Sequence, residues 1–222
     1  MFSKFGGFQM GREFDQLFDE WAASYDETVN GSDPEYKEVF LHYDRILSEV
    51  AKRATGIVLE FGVGTGNLTL KLINKGLHVI GIEPSKEMRI LAKQKIRELE
   101  IFDGDFLIFP SVNKQVQTIV SSYAFHHLTD EEKCKAVALY FELLPRDGKI
   151  VFADTMYKSE DEKLMMLKEA ERFGHHRLLA DLKTEYYPTI SVLKKIFEST
   201  GFTVHFTRMN QFVWILEAVK KQ

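Results

Sequence analysis

Apolar residues recur at three- and four-residue spacing through the first fifty positions, as Phe14, Leu17, Phe18 and Trp21 and then as Val39, Phe40, Tyr43, Ile46, Leu47 and Val50. That spacing gathers each set on one helix face and predicts two amphipathic helices within residues 12–53. Asn30-Gly31-Ser32-Asp33-Pro34 lies between them and supplies turn formers and a first-turn proline. From Ile57 the period changes. Short apolar runs at Ile57–Phe61, Leu77–Ile82, Leu99–Phe102, Thr118–Ser122 and Lys149–Asp154 alternate with helical stretches over about 67–75, 84–97 and 130–144. Pro84 and Ser85 explain one of those helix starts, proline by its fixed φ and serine as a cap.

After Thr155 come a charged helical stretch over 159–183, a helix over Ile190–Thr200 stopped by Gly201, and two strand-like runs, Phe202–Thr207 and Phe212–Val219. Met209-Asn210 joins the last two too tightly for a parallel crossover, so they should form an antiparallel hairpin. The expected fold is α/β: a doubly wound, Rossmann-like, mostly parallel seven-stranded sheet with a C-terminal antiparallel hairpin and an N-terminal helical lid. Ligands in such folds sit at the carboxyl ends of the parallel strands. One domain is expected over residues 11–222, with a helical lid at 12–53, a cofactor-binding core at 57–155, and cap helices and hairpin at 156–222. Met10-Gly11-Arg12-Glu13 could itself open a chain, so residues 1–9 are expected to be a tail.

Composition narrows the function. With 45% hydrophobic and 28% charged residues among 222, the chain is neither collagenous, disulfide-rich nor disordered. Its net charge of −4 argues against a strong grip on nucleic acid or anionic lipid and favours a small neutral or cationic partner. The lone Cys134 allows neither an intrachain disulfide nor a multi-cysteine metal site, which fits a reducing, cytoplasmic setting. No apolar run approaches the ~20 residues of a membrane-spanning helix.

The most informative stretch is Glu60-Phe61-Gly62-Val63-Gly64-Thr65-Gly66-Asn67, a strand feeding three glycines and then a helix. Backbone without Cβ atoms bends sharply and approaches a ligand closely, and the helix behind it points free N–H groups at an anionic ligand group. Glu83 follows Gly62 by 21 residues, at the end of the second strand, where a carboxylate meets the ribose hydroxyls of an adenosine. The dinucleotide fingerprint G-x-G-x-x-G is incomplete, because Asn67 stands where its third glycine belongs. Glu60 would be unwelcome beside a pyrophosphate but suits a ligand carrying an ammonium and a sulfonium, which points to S-adenosylmethionine.

On these residues the chain resembles the class I S-adenosylmethionine-dependent methyltransferases, whose first motif reads acidic-x-G-x-G-x-G. Trp21-Ala22-Ala23-Ser24-Tyr25-Asp26 is similar to the family's pre-core helix and Asp103-Gly104-Asp105-Phe106 to its adenine-contacting segment. Ser121 through Leu128 resembles the segment after its fourth strand and Leu144 through Val151 the turn into its fifth. Over Gly11 to the C-terminus the likeness is greatest to the small bacterial YrrT-like methyltransferases. The resemblance implies that Gly62, Gly64 and Gly66 line the methionine end of the cofactor and that Glu83 holds the ribose. It implies further that Asp105 accepts from the adenine amino group, with Asp103 as the rival, and that Phe106 packs near the ring. Arg146-Asp147-Gly148 departs from the two-glycine turn of many members.

His126-His127 invites a metal role, but adjacent residues do not ordinarily share a face and no cysteine set exists for zinc, so no metal ligands are expected; the pair is read as orienting the backbone or the cofactor pocket, with proton transfer as the alternative. His175-His176 reads as a solvated helix end, and Lys194-Lys195 and Lys220-Lys221 as solvated surface. Tyr25 could touch the methyl-donor end, while Phe14, Phe18 and Trp21 read as packing. No adjacent prolines follow the fourth strand, as they do in base-modifying amino methyltransferases, so a small-molecule acceptor is favoured over nucleic acid. Two other functions share these features: a non-catalytic module that binds the cofactor, and an NAD-dependent oxidoreductase. The second is disfavoured by Glu60 and by the absence of a Tyr-x-x-x-Lys pair.

Overall fold

The computed structural model describes Asp19 and residues 21–221. Its strands are β1 Ile57–Phe61, β2 His78–Ile82, β3 Glu100–Phe102, β4 Thr118–Ser122, β5 Lys149–Thr155, β6 Phe202–Arg208 and β7 Val213–Lys220. Its longer helices are α1 Tyr43–Arg53, α2 Asn67–Asn74, α3 Lys86–Lys95, α4 Asp130–Leu143, α5 Glu160–Phe173, α6 His176–Thr184 and α7 Ile190–Thr200. The sheet order is β3-β2-β1-β4-β5-β7-β6, with β7 antiparallel to both β5 and β6 and every other pairing parallel. The expected doubly wound sheet and hairpin are therefore present.

Alternation along the strands divides the core between two faces. Val58, Val79, Val120 and Val151 pack under α1 and α2, together with Met166 of α5 and Leu182 of α6. Leu59, Phe61, Ile80, Ile119 and Phe152 pack against Tyr140 of α4 and Phe197 of α7. The order reverses between β1 and β4, one strand leading to β2 and the other to β5, and this is where an open α/β sheet leaves a crevice. Thr129 and Glu132 form a reciprocal capping box that starts α4 just beyond that crevice.

Four expectations change. The second N-terminal helix begins at Tyr43, not at Pro34, because residues 34–42 run through turns and His42 has a left-handed φ of 66°. Upstream, Tyr25–Glu27 is one α turn that runs into a π turn, Thr28–Ser32. The charged stretch breaks into α5 and α6 at Gly174, whose φ is 70°. Lys220 is not solvated surface: its Nζ donates to the carbonyls of Phe141 at 2.6 Å and Leu144 at 2.9 Å, closing the C-terminus of α4. The expected tail at 1–9 and the residues Phe14, Leu17 and Phe18 lie outside the described residues. No described helix is long and apolar enough to cross a membrane.

Candidate functional site

All three glycines of the bend after β1 adopt left-handed φ, 67° at Gly62, 56° at Gly64 and 87° at Gly66. A Cβ on Gly62 would lie 2.8 Å from the Cβ of Ala124, so the bend presses directly against the chain leaving β4. A Cβ on Gly64 would meet nothing within 4 Å among the described residues. Gly62 and Gly64 line a cavity of about 720 Å³, counted out to its mouth, together with Glu83, Asp105, Phe106 and His127. Tyr25, Ser122, Tyr123 and Leu128 complete much of its wall. Gly66 does not line it; it caps α2, and its α-carbon faces Ala92 and Ile96 of the α3 region.

Glu83 is buried, and its carboxylate accepts from the backbone N–H of Gly64 at 2.8 Å and of Ser85 at 2.9 Å. It thus joins the glycine bend to the start of α3. Asp105 Oδ1 accepts from the N–H groups of Leu107 at 2.8 Å and Ile108 at 2.7 Å, which folds the segment after β3 back toward the cavity. Asp103, the rival for the adenine position, points elsewhere and pairs with Arg89 at 3.3 Å. Phe106 stacks on Phe61 with centroids 5.4 Å apart, and Tyr140 fixes its carbonyl with a 2.9 Å hydrogen bond.

Glu60 lies beneath the bend rather than in the cavity wall. Its Oε2 accepts from Thr69 at 2.7 Å, while Oε1 is buried without a hydrogen-bond partner among the described residues. Burial, opposed by Thr69 and reinforced by the charge of Glu83, pushes its pKa up to about 8. A buried carboxyl below a glycine cradle, protonated on its own but able to ionise against a cation held above it, fits a sulfonium-bearing nucleoside.

Residues 58–148 match the sequence pattern of the methyltransferase domain family. A Bacillus thuringiensis relative described as an uncharacterized methyltransferase is 55% identical over 96% of this chain and 100% of its own length. A Bacillus mycoides relative of the same description is 54% identical over the same extents. The chain belongs to the methyltransferase family of these relatives.

Solved structures share the fold of this methyltransferase at low sequence identity. A Thermotoga maritima structure described as a S-adenosylmethionine-dependent methyltransferase, possibly acting on histamine, aligns with TM-score 0.69 and 15% identity over 94% of this chain and 100% of that one. Magnesium protoporphyrin IX methyltransferase from Synechocystis, solved with S-adenosylhomocysteine, aligns with TM-score 0.65 and 18% identity over 93% and 99%.

At the far wall of the methyltransferase's cavity, the turn Phe125–His127 brings two rings together that sequence reasoning had kept apart. The His126 and His127 rings lie 4.1 Å apart between centroids, and both face Glu185. A one-turn 3-10 helix allows this, since its tight winding and side-chain torsions turn neighbouring rings onto one partner. His126 Nδ1 donates to Asp154 Oδ1 at 2.6 Å, and its Nε2 lies 3.2 Å from Glu185 Oε2. Burial opposes charge on His126, but Asp154 and Glu185 more than offset it and hold its pKa up at about 10. His127 is pushed down by burial and by the charge of His126, so a neutral imidazole faces the cavity. Tyr187 stacks on His126 at 4.5 Å and donates to Glu185. Sequence reasoning missed Asp154, Glu185 and Tyr187, which are 28, 59 and 61 residues from His126 and belong to no local motif. The cap at 156–190 therefore backs the cavity without lining it.

Tyr25 meets Tyr43 and Tyr123 beside the glycine bend, and burial pushes its phenol well up. Tyr123 takes a left-handed φ of 53° and its buried hydroxyl has no hydrogen-bond partner among the described residues. Its ring lies 5.1 Å from Phe40 and 5.6 Å from Tyr43. His175 precedes α6 and His176 opens it at the exposed surface.

Proposed function

We propose that this methyltransferase binds S-adenosylmethionine in the crevice between β1 and β4 and transfers the methyl group to a small-molecule acceptor by in-line displacement. What supports the reading is that Gly62, Gly64, Glu83, Asp105 and Phe106, drawn from the loops after β1, β2 and β3, line one cavity. The bound cofactor supplies a methyl group already activated on sulfonium.

The chain's own task is then binding, alignment and exclusion of water. Glu83 would accept from the ribose diol with the carboxylate that holds the bend, Asp105 from the adenine amino group, and Phe106 would pack against the base. The bare backbone at Gly62 and Gly64 allows close approach at the methionine end, above the unsatisfied oxygen of Glu60. Tyr25, Tyr123 and His127 wall the side from which an acceptor would enter and, being neutral, suit a partly apolar one. Proximity and orientation of this kind contribute roughly 7–11 kcal/mol to a two-substrate reaction without a covalent intermediate.

The test is calorimetric titration with S-adenosylhomocysteine, followed by incubation with methyl-labelled S-adenosylmethionine and fractionated metabolites. Saturable binding with label in a metabolite fraction is expected. Binding without any transfer would favour a sensing module, label in RNA alone would overturn the small-molecule acceptor, and an isotherm for NAD but not for S-adenosylhomocysteine would overturn the cofactor.

A further inference from the structure

The cluster behind His127 has the donor set, spacing and outer contacts of a cation site. We propose that His126 Nε2, His127 Nδ1 and the Glu185 carboxylate bind one divalent transition-metal cation at the edge of the cofactor cavity. The three ligand atoms all lie within 4.8 Å of one another. Glu185 already bridges the pair, with Oε2 3.2 Å from His126 Nε2 and Oε1 3.9 Å from His127 Nδ1. Donors on a common ion at ~2.0–2.2 Å sit about 3–3.5 Å apart, so closing the site needs side-chain shifts of about 1 Å or less.

The surroundings argue for more than chance proximity. A metal-bound histidine almost always donates its other ring N–H to a carboxylate or carbonyl, and His126 Nδ1 donates to Asp154 at 2.6 Å, directing Nε2 toward Glu185. Glu185 is itself fixed by the Tyr187 hydroxyl, and His126 by the stacked Tyr187 ring. Asp154 is further anchored by the backbone N–H groups of His126 at 2.9 Å and Thr155 at 2.8 Å. These contacts hold the donors, on a turn after β4 and on the residue that closes α6, against the end of β5. Two imidazoles with one carboxylate select zinc, iron(II) or cobalt over magnesium or calcium, which prefer all-oxygen sites. Binding would displace the proton that His126 now shares with Glu185.

Because His127 also lines the cavity, the cation would stand beside the acceptor. There it would favour a hydroxyl or thiol acceptor by stabilising its deprotonated form. That role rests on the methyl-transfer reading; the metal site itself does not.

The test uses tag-free, full-length protein stripped with a chelator and titrated with Co²⁺ by visible absorption and with Zn²⁺ by calorimetry. S-adenosylhomocysteine is titrated in parallel. One equivalent of metal is expected. Glu185→Gln and His127→Asn should each weaken it by about 100-fold or more, and Asp154→Asn by about 10–100-fold. Retained S-adenosylhomocysteine binding by Glu185→Gln would show that it is folded; if it is not, the Asp154→Asn titration decides. Substoichiometric metal, or unchanged Co²⁺ affinity in the folded variants, would overturn the site and leave a buried ion-pair network. Failure of wild-type protein to bind S-adenosylhomocysteine would count against the cofactor reading alone.

Discussion

Glu83 accepts a 2.8 Å hydrogen bond from the backbone N–H of Gly64, so the residue read as a ribose ligand also fixes the bend that would carry the methionine end. The two ends of the proposed nucleoside site are thereby coupled through one carboxylate. Glu83→Gln keeps an acceptor oxygen but turns an amide toward one of the two N–H groups, and Glu83→Ala removes both bonds. S-adenosylhomocysteine affinity should fall at least about tenfold in the first and by more in the second, the tenfold step being about 1.4 kcal/mol. Calorimetry measures both, and unchanged affinity in Glu83→Ala would refute the assignment.

Gly62 and Gly64 separate two reasons for needing glycine. An L-residue in the left-handed region costs about 1–2 kcal/mol, which applies to alanine at either position. Only at Gly62 would the added carbon collide, 2.8 Å from Ala124. Gly62→Ala should therefore lose about 2–4 kcal/mol of stability and Gly64→Ala about 1–2, with a melting shift of about 2–4 °C per kcal/mol at this chain length. Gly64→Ala, with open space around its new methyl, should show its larger effect on cofactor affinity. Thermal melts beside titrations of the two variants check the ranking.

That contrast also shows what the sequence could reveal. The bend is legible because left-handed backbone leaves a trace of glycine, and the strands are legible because alternating burial leaves a trace of apolar runs. His42, Tyr123 and Asp147 take left-handed φ as well, at 66°, 53° and 61°, yet none announces it as a glycine does. Asp147 occupies the place where the resembled family carries the first glycine of a pair, and the turn keeps the conformation with a residue whose short polar side chain tolerates it. Val39 and Phe40 keep helical spacing but sit in turns, since packing of Phe40 on Tyr43 and Tyr123 overrides local propensity. Glu185 reaches His126 from 59 residues away, a contact made by the tertiary fold alone.

Glu60 makes stability depend on pH in a predictable direction. In the unfolded chain its carboxyl ionises near 4.5, whereas in the fold burial keeps the proton to about pH 8. Between those values the unfolded state binds fewer protons, so wild-type stability should fall as pH rises, by at most about 1.4 kcal/mol per pH unit from this group, and level off above pH 8. Glu60→Gln stays neutral and can still accept from Thr69. The melting-temperature difference between variant and wild type should therefore move steadily in the variant's favour from pH 5 to pH 8. A gap that stays constant over that range would show that Glu60 is ionised in the fold.

Asp26 ties the N-terminal turn to the cofactor bend. Its Oδ1 accepts from Thr65 at 2.6 Å and Asn67 at 2.9 Å, and its Oδ2 pairs with Lys95 at 3.0 Å. Partial burial works to raise its pKa, but the hydrogen bonds from Thr65, Lys95 and Asn67 outweigh it and hold the carboxyl below its usual range. This tether is therefore intact at neutral pH and is lost only as pH falls through that depressed value. Asp26→Asn places an amide against donors from three residues while leaving both hydrophobic clusters untouched. The melting temperature should change little, because the side chain is half exposed. Amide exchange over residues 25–32 should instead accelerate by roughly two- to tenfold, the scale of one lost hydrogen bond, with a parallel loss of S-adenosylhomocysteine affinity because Tyr25 is carried on the same turn. Faster exchange without any loss of affinity would mean that the turn covers the cavity but takes no part in holding the ligand.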